Sequence, residues 1–234
     1  MEQNRKQPYF TKGELVLWGG SAAVILIAFV LFRGQGVLSA AASLIGVTSL
    51  IFNAKGNPIG QALMVVFSIL YGIISWGFAY YGEMITYLGM TGPMALAALI
   101  AWLRHPFKGN KAEVAAARLS RKETAFMLLL TAAVTAVFYF VLRFFNTASL
   151  ALSTLSVATS FAAVYLTWRR SPYFALVYAM NDVVLIALWV IAAQSEQSYV
   201  SVVICFVMFL VNDLYGFLCW RRMQRRQESA SKPM

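Results

Sequence analysis

Two Asn-Asp dipeptides stand inside apolar stretches of this chain: Asn181–Asp182 in "NDVVLIALW" (181–189) and Asn212–Asp213 in "VNDLYGFLCW" (211–220). Asp213 lies eight residues before Arg221, roughly 12 Å along a helix, and Asp182 lies twelve after Arg170, roughly 18 Å. Both depths fall near the middle of a hydrocarbon core about 30 Å thick. A lone carboxylate there costs at least about 2.5 kcal/mol, so each needs a partner or a wet cavity. Two readings are open. The pairs tie neighbouring helices together through hydrogen bonds, or they line a polar cavity that takes a solute. Each Asp precedes a Trp by seven residues, Asp182 before Trp189 and Asp213 before Trp220. That is nearly two helical turns, so carboxylate and indole share a face. Tyr215 and Gly216 lie one turn from Asn212. Carboxylate, amide and flat aromatic surface together suit a small ring-bearing polar ligand, above all a cationic one. Trp189 reads as a wall of that site. Trp220, beside Arg221, reads as an interfacial anchor.

A third constellation is "WGFAYYGEMITYLGM" (76–90), where Trp76, Tyr80, Glu83, Tyr87 and Met90 recur every three or four residues. On one continuous helix they form a stripe. Residues 58–103 are too many for one span, so a bend near Gly82 is expected to split it. Aromatics at a helix end equally fit an interfacial belt, and Glu83 equally fits a solvated outer turn. His105, the single histidine, precedes Pro106 in a polar loop and reads as a loop residue. No Walker loop, GxSxG or HExxH is present. Cys205 and Cys219 share one apolar segment without CxxC spacing and read as plain helix residues. No catalytic residue, metal site or cofactor is expected, and the chain does not read as an enzyme.

The elements that must position these residues follow from composition. Of 234 residues, 60% are hydrophobic and 12% charged, against about a quarter charged in soluble domains. This is an all-α polytopic membrane protein. Eight apolar stretches read as spans: about 14–33, 36–54, 58–81, 84–103, 123–143, 147–168, 172–193 and 197–220. Pro58 and Pro172 suit first helical turns. The long polar loop is 104–122. The net charge of +10 sits between and beyond the spans, so it reads as topology and not as a nucleic-acid surface. With eight spans, the side opposite the termini holds only Arg33 and Arg143 of the 19 Lys and Arg. Both termini and 104–122 are therefore expected in the cytoplasm. The first apolar stretch is longer than a signal h-region and reads as a span. The tail "RRMQRRQESASKPM" reads as disordered.

The second to fourth spans resemble the sixth to eighth. Trp76 and Trp189 are 113 apart, as are Glu83 and Glu196, while Pro58 and Pro172 are 114 apart. Both copies enter from the same side, because the fifth span stands between them. The expected plan is two parallel three-helix repeats with a pseudo-axis along the membrane normal and a solute site between them. The units are 1–35 (N-terminus and accessory helix), 36–103 (first repeat), 104–146 (loop and linker helix), 147–220 (second repeat) and 221–234 (basic tail).

The three quoted phrases, in their order along the chain (76–90, 181–189, 212–220), resemble the signature of PnuC-type nicotinamide riboside transporters. The resemblance runs from the second span onward. It implies a bacterial inner-membrane protein with a 3+1+3 core, similar to a full-length SWEET transporter, assembled as a homotrimer in the lipid bilayer. It implies facilitated diffusion of nicotinamide riboside, with phosphorylation trapping the nucleoside inside. It places Trp76, Tyr80, Glu83, Tyr87, Met90, Asn181, Asp182, Trp189, Asn212, Asp213 and Tyr215 at the substrate, with Trp220 closing the last motif. The chemistry agrees. Indole faces stack on a pyridinium cation, and an amide serves a carboxamide or ribose from either side. With no basic residue at midplane depth, a phosphate-bearing analogue is disfavoured. An ion-coupled transporter using Asp182 or Asp213, or a non-transporting receptor with the Asn-Asp pairs as clamps, stays open.

Overall fold

Eight helices long and apolar enough to cross a membrane occur among the described residues, which in this computed structural model are 9–34, 36–77, 81–147 and 149–231. They are α1 (Lys12–Leu31), α2 (Gly36–Ala54), α3 (Pro58–Gly77), a compound fourth span, α6 (Arg121–Phe144), α7 (Leu150–Trp168), α8 (Phe174–Ala193) and α9 (Val200–Ala230). The fourth span runs as α4 (Tyr81–Thr86), a π-helical turn (Tyr87–Thr91) and α5 (Gly92–Arg104). The chain is a multi-pass membrane protein.

Local chemistry sets the helix ends. Thr11 and Glu14 form a capping box that starts α1, and Ser120 and Glu123 form another that starts α6. Both acids then reach a cation. Glu14 pairs with Lys55 at 2.9 Å, and Glu123 pairs with Arg169. Pro58 opens α3 as expected. Pro172 lies in the turn before α8, where the Phe174 N–H bonds the Ser171 carbonyl at 3.2 Å. The fourth span approaches α3 so closely that a Cβ on Gly72 would meet Leu88 at 2.5 Å, which leaves glycine as the residue that fits.

The helices close a ring. α2 packs on α3, α3 on α5, α5 on α7, α7 on α8, α8 on α9, and α9 back on α2. α1 leans on α2 and α9, and α6 leans on α7. Two joints of the ring, α5 on α7 and α9 on α2, are built alike. At one, the Trp102 indole N–H of α5 donates to the Thr167 carbonyl of α7 at 2.9 Å; at the other, Trp220 of α9 donates to the Asn53 carbonyl of α2 at 2.7 Å. Each acceptor also takes a turn N–H, Arg170 onto Thr167 and Gly56 onto Asn53, both at 2.9 Å. Gly56 and Arg170 both hold positive φ, +65° and +59°. These paired positions keep the offset that separates Pro58 from Pro172. The two indoles meet at 5.3 Å between ring centroids.

Two expectations need correction. Trp220 is fully buried and is not an interfacial anchor. The basic tail is not disordered over its described part, because α9 continues to Ala230. The loop 104–122 contains an antiparallel hairpin, β1 (Pro106–Phe107) and β2 (Asn110–Val114), and the end of α9 lies on it. Gln227 donates to Val114 O at 3.0 Å and accepts the Ala116 N–H at 2.8 Å. Arg118 grips Glu228 through two 2.7 Å bonds, and Arg226 pairs with Glu113. The same segment straps both turns, with Val114 N–H on Gly56 O at 2.9 Å and Ala117 N–H on Arg170 O at 3.0 Å.

Candidate functional site

The ring encloses a cavity of about 100 Å³. Its charged lining is acidic: Glu83 from α4, Asp182 from α8 and Asp213 from α9. No Lys, Arg or His lines it among the described residues. Asp182 and Asp213 are 4% and 5% exposed, and their carboxyl groups lie within hydrogen-bonding reach of each other. Oδ2 of Asp182 meets no N–H or O–H donor. Carboxyl groups held this far from water and from any cation are costly to ionise unless a cation joins them.

Aromatic walls complete the space. Trp189 lines it and packs on Tyr199 at 5.2 Å. Tyr71 and Tyr87 line it from the other triplet, 4.6 Å apart. Tyr87 opens the π-helical turn, a local widening often found at functional sites. At the basic end Phe174 lines the cavity and stands edge-on to Trp220 at 4.9 Å and Trp102 at 6.2 Å. The paired indoles therefore lie directly behind the cavity floor.

Among the residues named from sequence, the fold gathers Glu83, Tyr87, Asn181, Asp182, Trp189 and Asp213 around this one space. The others lie elsewhere. Trp76, at the end of α3, is 66% exposed. Met90 is buried against Leu142, Val157 and Phe161. Asn212 turns away toward α1, donating to Ser21 Oγ at 2.9 Å and to Met208 O at 2.8 Å. The Tyr215 hydroxyl donates to Glu14 at 3.2 Å, near the basic end. Tyr80 lies outside the described residues. Sequence reasoning missed Ser153, Ser156 and Ser160 of α7, which also line the cavity. Their signal was present: three hydroxyls at one-turn and two-turn spacing in an apolar span share a face.

A ring of membrane helices around an acidic and aromatic cavity is the build of a carrier for a small solute. The chain belongs to the nicotinamide mononucleotide transporter family, whose sequence model matches residues 36–222. It is a membrane transporter and not an enzyme. It is 25% identical over 217 residues to the nicotinamide riboside transporter PnuC of Neisseria mucosa, covering 91% of this chain and 81% of that protein. Its fold matches the crystal structure of the vitamin B3 transporter PnuC with a TM-score of 0.80 at 23% identity, over 93% of this chain and 94% of that one.

Proposed function

We propose that this transporter carries nicotinamide riboside, by facilitated diffusion, through the cavity inside the helix ring. The family description names a mononucleotide and the relative's name a riboside. The observation that decides between them is the lining: three carboxyl-bearing residues and no basic one among the described residues. The riboside's pyridinium cation is attracted to Glu83, Asp182 and Asp213 and stacks on Trp189. The mononucleotide adds a phosphate that finds no counter-charge there and is repelled. Asn181 meets the carboxamide or ribose, and Tyr87 faces the same space. Asn212, Tyr215 and Met90 hold the helices that present these groups, and Trp76 belongs to the end of α3.

Ligand pockets usually exceed about 300 Å³, and this cavity has about 100 Å³. Solute entry therefore requires the triplets 36–103 and 147–220 to part, and their mirrored joints suit a rocking motion about the shared axis. A bacterial inner-membrane location with both termini cytoplasmic belongs to the same proposal and is supported by the Lys and Arg bias. A homotrimer is supported by the family resemblance. The test is titration calorimetry on purified protein, with nicotinamide riboside expected to bind and nicotinamide mononucleotide expected to bind at least about a hundredfold more weakly. Equal binding of the two rejects the charge argument.

One observation favours a second reading. Asp182 and Asp213 face each other, an arrangement that also suits a bound proton or sodium ion. Uptake into proteoliposomes with and without an imposed proton or sodium gradient separates the two. A passive carrier equilibrates its solute in both, and a coupled one concentrates it only when the gradient is present.

A further inference from the structure

The orientation of one amide in the cavity is set from behind. Asn181 on α8 is 6% exposed and lines the cavity. Its Oδ1 accepts hydroxyl hydrogens from α7: Thr159 at 2.8 Å, Ser160 at 3.1 Å and Ser156 at 3.2 Å. Ser156 and Ser160 have no other hydrogen-bond acceptor among the described residues. Thr159 also reaches the Leu155 and Ser156 carbonyls, at 3.0 and 3.1 Å. The Asn181 Nδ2 group meets no acceptor among the described residues.

The count of donors fixes the flip. With the carbonyl toward α7, the Ser156 and Ser160 hydrogens are both satisfied, and both N–H donors are left for the cavity. With the amide reversed, the N–H groups meet hydroxyl oxygens, the two serine hydrogens lose their acceptor, and a bare carbonyl faces the cavity. The first arrangement leaves fewer buried groups unpaired, and burial makes each such group costly. A free asparagine reads donors and acceptors alike; this one does not.

We propose that Ser156, Thr159 and Ser160 are positioning residues that hold the Asn181 carbonyl, so that the solute meets only its N–H donors and the site selects a ring substituent that accepts a hydrogen bond. The inference rests on the nicotinamide riboside reading, in which the carboxamide oxygen is that acceptor. It adds a source of selectivity that charge does not supply, because it separates solutes of equal charge and size.

The test uses three cationic nucleosides and calorimetry on the full-length protein. Nicotinamide riboside reports the site. The 3-acetylpyridine riboside offers only an acceptor at the substituent, and the 3-aminopyridine riboside chiefly a donor. The intact protein is expected to prefer the acetyl compound by roughly tenfold or more. In the Ser156→Ala/Ser160→Ala variant that ratio is expected to fall to within about threefold of unity. The Ser156→Thr/Ser160→Thr variant keeps both hydroxyls and should keep the ratio. Loss of affinity for both analogues together, at constant ratio, gives these residues a purely structural role and overturns the proposal. Asn181→Asp is the second arm, because its carboxylate satisfies the same hydroxyls while presenting an oxygen to the solute. Its added charge acts equally on both analogues and cancels in the ratio. The preference should then move to the amino compound, and a retained acetyl preference overturns the proposal whether or not the serine variant folds. If the intact protein binds nicotinamide riboside and the ratio never responds, the positioning role alone fails. If it binds none of the three, the transport reading fails with it.

Discussion

Removing one indole hydrogen bond at a joint of the ring should cost the same at either joint. Trp220→Phe deletes the 2.7 Å bond to Asn53 O, and Trp102→Phe deletes the 2.9 Å bond to Thr167 O. Neither acceptor is orphaned, because Gly56 and Arg170 N–H groups still reach them. The hydrogen-bond loss is therefore about 1 kcal/mol and not the larger cost of an unpaired buried carbonyl. Both indoles are almost wholly enclosed, at 0% and 1% exposure. Losing part of each ring adds about 1–2 kcal/mol of lost packing. The total is about 2–3 kcal/mol per variant. For a chain of this size that corresponds to a fall in melting temperature of about 5–10 °C. Because the rings touch, the double variant should depart from additivity by about 0.5–1.5 kcal/mol. Thermal unfolding of detergent-purified single and double variants measures all three quantities. Nicotinamide riboside affinity should change less than about threefold, since neither indole lines the cavity. A shift below about 1 °C in either variant, or shifts that differ more than twofold, would show that the two joints are not equivalent supports of the ring.

Further outcomes concern the cavity and the topology. Trp189→Ala should weaken nicotinamide riboside binding about thirtyfold, the equivalent of a desolvated cation–π contact of about 2 kcal/mol, with Trp189→Phe recovering part of it; calorimetry checks both. Asp213→Asn should keep its fold and assembly but bind the cation more weakly, whereas Asn212→Ala should lose about 1 kcal/mol of stability and keep its affinity. The reverse pattern would mean that the α1 side of α9 carries the site. Single cysteines introduced into 104–122 should react with impermeant reagents from the cytoplasmic face alone, and periplasmic labelling there would break the eight-span orientation.

The spans and the bias of charge were legible because each is a local property. Hydropathy is read in a window of one helix, and a Lys or Arg marks the end of the helix beside it. The two corrections have one cause. Trp220 was read by its neighbour Arg221, as if the first cation marked the membrane boundary of α9. Instead α9 continues as a helix beyond the other basic-end turns, and its arginines and glutamines bond to the hairpin. The tail looked disordered for the same reason. Its partners Glu113, Val114, Ala116 and Arg118 lie more than a hundred residues away, and no local pattern announces them. The hairpin itself is stabilised by those contacts and by the two turns it bridges, so its strands are too short to be read from alternation.

The acidic and aromatic lining of the cavity was legible in kind but not in azimuth. A residue type and its distance from a helix end say what lies near the midplane; they do not say which neighbour it faces. Consecutive helical residues point about 100° apart, so an Asn-Asp pair serves one cavity only where the helix offers a broad inner face. α8 does so: Asn181 is held against α7, and Asp182 reaches toward Asp213 of α9. α9 has one neighbour more, because α1 packs on its outer side. Asn212 bonds Ser21 of α1, while Asp213 faces the cavity. The repeated dipeptide is thus repeated in sequence without being repeated in use. What differs is the accessory helix, which leans on α9 and has no counterpart against α8. One triplet then carries a clamp and an acid from adjacent positions, and the other contribution to the cavity comes from Glu83 and Tyr87 across the ring. The acidic and aromatic character of the space is a property of the closed ring, assembled from residues that no single segment of sequence brings together.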